Sequence, residues 1–203
     1  MKRLMITVLL TSSLFGQEWV DWNVLGYANI AFHPDSSHIL YLGTASGGAL
    51  IVSYDSGNTL DTLFDNLSVL DIEFHPDSPD TLIIASGNMF QDRTGVLKVV
   101  RNGADYDTTW IDTDLDPGTE GMVTCVEVDP FSPDTMLAGI SAFGAGTLWK
   151  TTNGGQTWYD SPGSSHGVVS IMQHPAYPNQ VVYTTPENSL FRSYDWGETW
   201  SES

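Results

Sequence analysis

Acidic side chains supply most of what this sequence offers for chemistry. Asp71 and Glu73 flank a short apolar run and are the best carboxylate candidates for hydrolysis at a sugar bond. That reaction needs two carboxylates in defined geometry. The plainer reading of both is as solvated residues at a strand start. A second group lies between Asp105 and Glu120, where Asp112, Asp114 and Asp116 alternate with Thr113 and Leu115. Alternating carboxylates suit a hard cation such as Ca2+. An EF-hand loop, however, wants glycine in its sixth place, and Pro117 stands there, so a solvated acidic loop is the expectation. His33, His75 and His174 each precede a proline, with Asp129 in the corresponding fourth place. His and Asp are both metal ligands, but their exchange at one position points to a strand-ending turn that accepts either. Cys125, the one cysteine, lies among valines and reads as a small buried apolar residue. No phosphate-binding glycine loop, Ser/His/Asp set or reactive-cysteine motif is present.

Composition narrows the classes further. The chain has 203 residues with 7 Lys and Arg against 25 Asp and Glu, a formal net charge of -18. Such a balance offers no basic surface for phosphates or anionic lipids, which excludes nucleic-acid binding and docking on acidic membranes. Asp (18) outnumbers Glu (7), and Asp suits turns where Glu suits helices, so the acids themselves point to β structure rich in turns. Residues 1–16 have the layout of a secretory signal peptide: Met1-Lys2-Arg3, then a mostly apolar Leu4–Phe15. That run is too short to span a bilayer, which needs roughly 20 residues. The mature chain is therefore expected to be exported, to the periplasm, the cell surface or beyond.

The elements that would position any site come from internal repetition. Four segments share one plan: an apolar run, a His-Pro or Asp-Pro pair, a second apolar run, then a third leading into an Asp or Asn turn. The marker prolines are Pro34, Pro76, Pro130 and Pro175, and the turn residues are Asp55, Asn102, Asn153 and Asp195. A period in the low to middle forties is the size of one four-stranded propeller blade. Each repeat carries apolar runs of four to six residues bounded by Pro, Gly, Asn and Asp, which predicts four short strands per repeat. The second strands are expected at Ile39–Gly43, Thr81–Ala85, Thr135–Gly139 and Gln180–Thr184. The fold class read from this pattern is all-β, a β-propeller of about four blades over roughly 27–66, 67–115, 121–161 and 166–203. Trp19–Leu25 reads as an outer strand.

The turns between third and fourth strands are the most specific signal. They run Ser53-Tyr-Asp55-Ser-Gly57-Asn-Thr59, Thr151-Thr-Asn153-Gly-Gly155-Gln-Thr157-Trp158 and Ser193-Tyr-Asp195-Trp-Gly197-Glu-Thr199-Trp200, with a worn copy at Asn102-Gly103. A short carboxylate or amide accepts hydrogen bonds from backbone N–H groups of its own turn, the glycine takes positive φ, and the aromatic packs between sheets. These turns resemble the Asp box of the BNR-repeat propellers, a group that includes sialidases, sortilin-type receptors and xyloglucan hydrolases. The resemblance covers nearly all of Ile30–Trp200. It implies a structural role for the box residues and leaves function open, because one fold hosts many functions.

Two departures weigh against the enzymes of that group. Sialidases use an arginine triad, and Arg93, Arg101 and Arg192 cannot converge on one centre. Xyloglucan hydrolases carry an acidic residue in a stretch like Thr44-Ala45-Ser46-Gly47-Gly48, where Ala45 stands here. The expected function is thus an exported, non-catalytic propeller module that binds a protein or glycan partner, with no cofactor. The alternative is a glycoside hydrolase-like enzyme whose complete active site extends outside this chain. The chain is expected to be an incomplete ring, and an uncapped terminal blade predicts self-association.

Overall fold

The computed structural model describes residues 27–45, 48–87, 94–112, 121–142, 145–161 and 167–203. The leader and Trp19–Leu25 lie outside them. Among the described residues sixteen strands form in chain order. The first blade holds β1 (Tyr27–Phe32), β2 (Leu40–Thr44), β3 (Ala49–Ser53) and β4 (Asp61–Asp65), and the second β5 (Val69–His75), β6 (Ser78–Ser86), β7 (Gly95–Asn102) and β8 (Asp105–Trp110). The third holds β9 (Met122–Val128), β10 (Met136–Ala142), β11 (Ala145–Thr151) and β12 (Tyr159–Asp160), and the fourth β13 (Ser170–Gln173), β14 (Val181–Thr184), β15 (Leu190–Ser193) and β16 (Ser201–Glu202). Every sheet is an antiparallel meander, with strand order β1-β2-β3-β4 repeated in each blade. The protein is an all-β propeller of four-stranded blades.

Strand alternation builds the core, because successive side chains point to opposite faces of a blade. Facing sides of successive blades pack together. Tyr41, Leu50 and Val52 of the first blade meet Val69, Ile72, Leu82 and Ile84 of the second. Ile83, Ala85 and Val96 then meet Val123, Val126, Met136 and Trp158 of the third. Leu137, Leu148 and Cys125 meet Val168, Val181, Tyr183 and Phe191 of the fourth. The inner strands neighbour one another in order, β1 with β5, β5 with β9 and β9 with β13. Among the described residues, no comparable packing joins the fourth blade back to the first.

Close approach at these junctions needs small residues. A Cβ on Gly43 would stand 2.4 Å from Val69 Cγ1, and one on Gly139 2.6 Å from Val168 Cγ1. The two glycines hold equivalent places within their second strands, and the two valines stand at the start of the blades that follow. Ala85 fills the same position in the second blade.

Three of the four rim turns share one hydrogen-bond network. The Ser53 hydroxyl accepts from Gly57 N (2.8 Å) and donates to Asp55 Oδ1 (2.9 Å). Asp55 accepts from Thr59 N and Thr59 Oγ1, both at 2.8 Å. Thr151, Asn153, Gly155 and Thr157 repeat the pattern, as do Ser193, Asp195, Gly197 and Thr199. Consecutive residues take positive φ in each turn, Ser56 and Gly57, Gly154 and Gly155, Trp196 and Gly197. The hydrogen bond from Thr59 N to Asp55 leads the causes that hold that carboxyl below its ordinary range. The second blade differs. Asn102 pairs directly with Asp105 across a two-residue hairpin, and Gly103 takes φ 70° at its first central position.

Candidate functional site

The innermost strand of each blade is a sheet edge, and an edge exposes backbone N–H groups that no ladder partner satisfies. In this protein, polar side chains of one inner strand fill that need on the next. Asn29 on β1 donates its Nδ2 to Asp71 Oδ1 on β5 at 2.6 Å. Asp71 also accepts from Ile72 N at 3.0 Å, and its other oxygen accepts from Val126 N on β9 at 3.1 Å. The Glu127 carboxylate on β9 accepts in turn from the backbone N–H of Gln173 on β13. Thr124 Oγ1 donates to Val168 O at 2.6 Å across the same junction. Side chains therefore tie the axial edges of the four blades together.

Glu73 stands apart in this row. No side-chain hydrogen bond reaches its carboxyl among the described residues, and Glu127 and Asp71 face it electrostatically. Burial, with repulsion from Glu127 and then Asp71, pushes its pKa up to about 8. Burial also raises Glu127, to about 7, against the hydrogen bond from Gln173. Asp71 is raised by burial and held back by its three hydrogen bonds. At neutral pH the axis thus holds a protonated, unpartnered carboxyl beside one near its midpoint. Such a pair is able to donate and accept a proton.

The sequence pointed to Asp71 and Glu73 but placed them in solvent at a strand start. Both lie within β5 and are substantially withdrawn from water. Asn29 and Glu127 were missed. A signal for them existed, since Asn29 occupies the repeat position of Asp71, and Glu127 that of Glu73.

The remaining sequence candidates fall elsewhere. The Asp and Asn turn residues sit on the rim, away from the axis. His33 Nδ1 accepts from Asp35 N (3.2 Å), His174 Nδ1 from Ala176 N (3.0 Å) and Asp129 Oδ1 from Phe131 N (2.9 Å), so His and Asp perform one task in the turn before each second strand. His75 departs from this, because β6 starts at Ser78 and pairs back on it directly. Arg101 of the second blade binds Asp80, and Arg192 of the fourth blade donates to Tyr194 Oη beside it. Arg93 lies outside the described residues, as do Asp114 and Asp116. Asp112 is buried, and its carboxylate fills the space a side chain at Gly95 would need. Cys125 is buried, and burial pushes its thiol up to about 12. A separate surface feature went unread: Phe131 and Tyr177 are 77% and 59% exposed on the turns joining first to second strands of the third and fourth blades.

No family model matches the chain, and no curated protein is similar to it in sequence. Solved structures match its fold. The crystal structure of a GH74 enzyme from Niastella koreensis aligns over 85% of this chain with a TM-score of 0.67 and 17% identity. An auxiliary nutrient binding protein from Bacteroides thetaiotaomicron aligns over 88%, with a TM-score of 0.65 and 18% identity, and a nidogen/laminin complex over 85%, at 0.64 and 13%. These likenesses establish the propeller fold. The chain spans 28% of the Niastella enzyme, 25% of an ancestral GH74 enzyme and 41% of the nutrient binding protein.

Proposed function

We propose that the chain is an exported, non-catalytic propeller module that binds a glycan or protein partner through the turns on one end of its blades. The exposed rings of Phe131 and Tyr177 carry this reading. Large aromatic side chains left in water on neighbouring blades have apolar faces to offer. Flat rings suit the faces of sugars, which favours a glycan of the two. The axial carboxylates speak for the same reading, since Asp71 and Glu127 are engaged in joining strands. The basic start and apolar Leu4–Phe15 support export, and a nutrient binding protein among the fold's relatives is consistent with that role. A glycan microarray probed with the full chain tests it. Binding that falls at least about fivefold in Phe131→Ala and in Tyr177→Ala, each stacking contact contributing about 1 kcal/mol or more, is the expected result. Binding unchanged in both variants refutes it.

A second reading has its own observation. Glu73 is a half-buried carboxyl with a raised pKa and no hydrogen-bonding side chain among the described residues, the property of a general acid at neutral pH. In a glycoside hydrolase-like enzyme it would act with a carboxylate supplied outside this chain. Release of reducing sugar from xyloglucan by the chain joined to the part that supplies that carboxylate, abolished in Glu73→Gln and retained in Asp71→Ala, would establish this alternative.

A further inference from the structure

Blade junctions in this protein repeat residue by residue. Two cross-strand pairs of the second and third strands form the face that each blade shows to the next. They are Tyr41 with Val52 and Gly43 with Leu50 in the first blade, and Leu137 with Lys150 and Gly139 with Leu148 in the third. In the fourth blade the same places hold Val182 with Arg192 and Thr184 with Leu190. Tyr41, Ile83 and Leu137 are 1%, 2% and 0% exposed because a following blade covers them. Along the fourth blade's inner strand the corresponding side is open: Met172 is 63% exposed and Val169, just before it, 52%.

Charge marks what this face is built to meet. In the third blade the buried Lys150 crosses the junction, donating to Trp196 O at 2.8 Å and to Glu198 Oε1 at 2.5 Å in the next blade's rim turn. Arg192 is its equivalent. Among the described residues its guanidinium reaches back to Tyr194, whose hydroxyl it meets at 3.1 Å and whose ring it covers at 5.9 Å. Space adds a second condition. Gly139 leaves room for Val168 of the next blade, whereas Thr184 fills that place, so a small residue must stand opposite.

We propose that the outer face of the fourth blade is a docking surface for a further four-stranded blade, one whose rim turn offers Arg192 a carboxylate and whose inner strand opens with a small residue opposite Thr184. The described blades of a second copy do not fit. On the receiving face of the first blade Leu40 and Leu42 are each only 2% exposed, and two chains of charge -18 repel. This surface is separate from the aromatic turns, so the glycan test and the present one fail independently.

The test appends a second copy of residues 167–203 to the full chain, with Val168→Ala in the appended copy. Met172 reports coverage, because peroxide oxidises exposed methionine and spares buried methionine. In the parent chain, which should sediment as a monomer, Met172 oxidises freely. In the extended chain its oxidation should slow by roughly tenfold or more, with mass spectrometry separating it from the appended methionine. Arg192→Gln, and Glu198→Gln in the appended copy, should each restore part of the reactivity, and the double variant should lose no more than either alone. Retaining Val168 in the appended copy should weaken the protection. Met172 remaining as reactive in the extended chain as in the parent overturns the proposal, as does a parent chain that dimerises and protects Met172 by itself.

Discussion

At the scale of single residues, the axial carboxylates dictate how stability responds to pH. Glu73 titrates near 8 when folded against 4.5 for an ordinary glutamate, and Glu127 near 7. A carboxyl whose folded pKa is raised holds its proton longer in the folded protein than in the unfolded chain. Its contribution to stability is complete below about 4.5 and is lost as pH rises through the folded value. The protein should therefore lose stability steadily between pH 5 and 8. Glu73→Gln, which cannot ionise, should match the parent at pH 5 and exceed it at pH 8.5 by on the order of 2–4 kcal/mol in urea denaturation. Equal stability at both pH values would show that water reaches Glu73 freely. Asp71→Ala should behave oppositely. It strips Asn29 and the Val126 N–H of their acceptor, and a loss of about 2–4 kcal/mol follows. None of this was legible in a linear reading. Asp71 and Glu73 look like strand-start acids in sequence, and only the convergence of β1, β5 and β9 removes them from water and gives Asp71 a backbone N–H to accept from.

At the scale of elements, turn and junction chemistry was far more legible, because it is local. The spacing Ser-x-Asp-x-Gly-x-Thr is a hydrogen-bond circuit closed within seven residues, so its geometry follows from the residue types alone. The worn copy at Asn102 was legible for the same reason: without the serine and threonine, the second blade makes a two-residue hairpin. The buried Ser193 hydroxyl is the hub of its circuit. Ser193→Ala leaves Gly197 N without an acceptor and should cost about 1–3 kcal/mol. Junction glycines needed the fold to be understood. Gly139 sits within β10, where any residue looks acceptable in the sequence, yet a Cβ there would lie 2.6 Å from both Cys125 Sγ and Val168 Cγ1. Gly139→Ala should destabilise by about 1–3 kcal/mol through overpacking, and Val168→Ala in the same chain should recover part of the loss. Simple additivity of the two substitutions would place the strain elsewhere.

At the scale of the whole molecule, the described blades form a linear series in which each packs on its neighbours, and stability in such a series divides into blade terms and junction terms. The axial ties run the same way, from Asn29 to Asp71 to Val126 and from Glu127 to Gln173, so each junction is strengthened separately. The fourth blade has one junction among the described residues, and Lys150 is its only buried ion-pairing side chain there. Lys150→Met keeps most of the apolar stem but withdraws the donor from Trp196 O and Glu198. If the series picture holds, the variant should release the fourth blade without loosening the second. Amide exchange in β14 and β15 should quicken roughly tenfold or more, matching a lost junction term of about 1–3 kcal/mol, while exchange in β5–β7 stays as in the parent. A uniform acceleration through all four blades would mean that the propeller opens as one unit. The axial carboxylates would then bind the whole ring together and not merely each neighbouring pair.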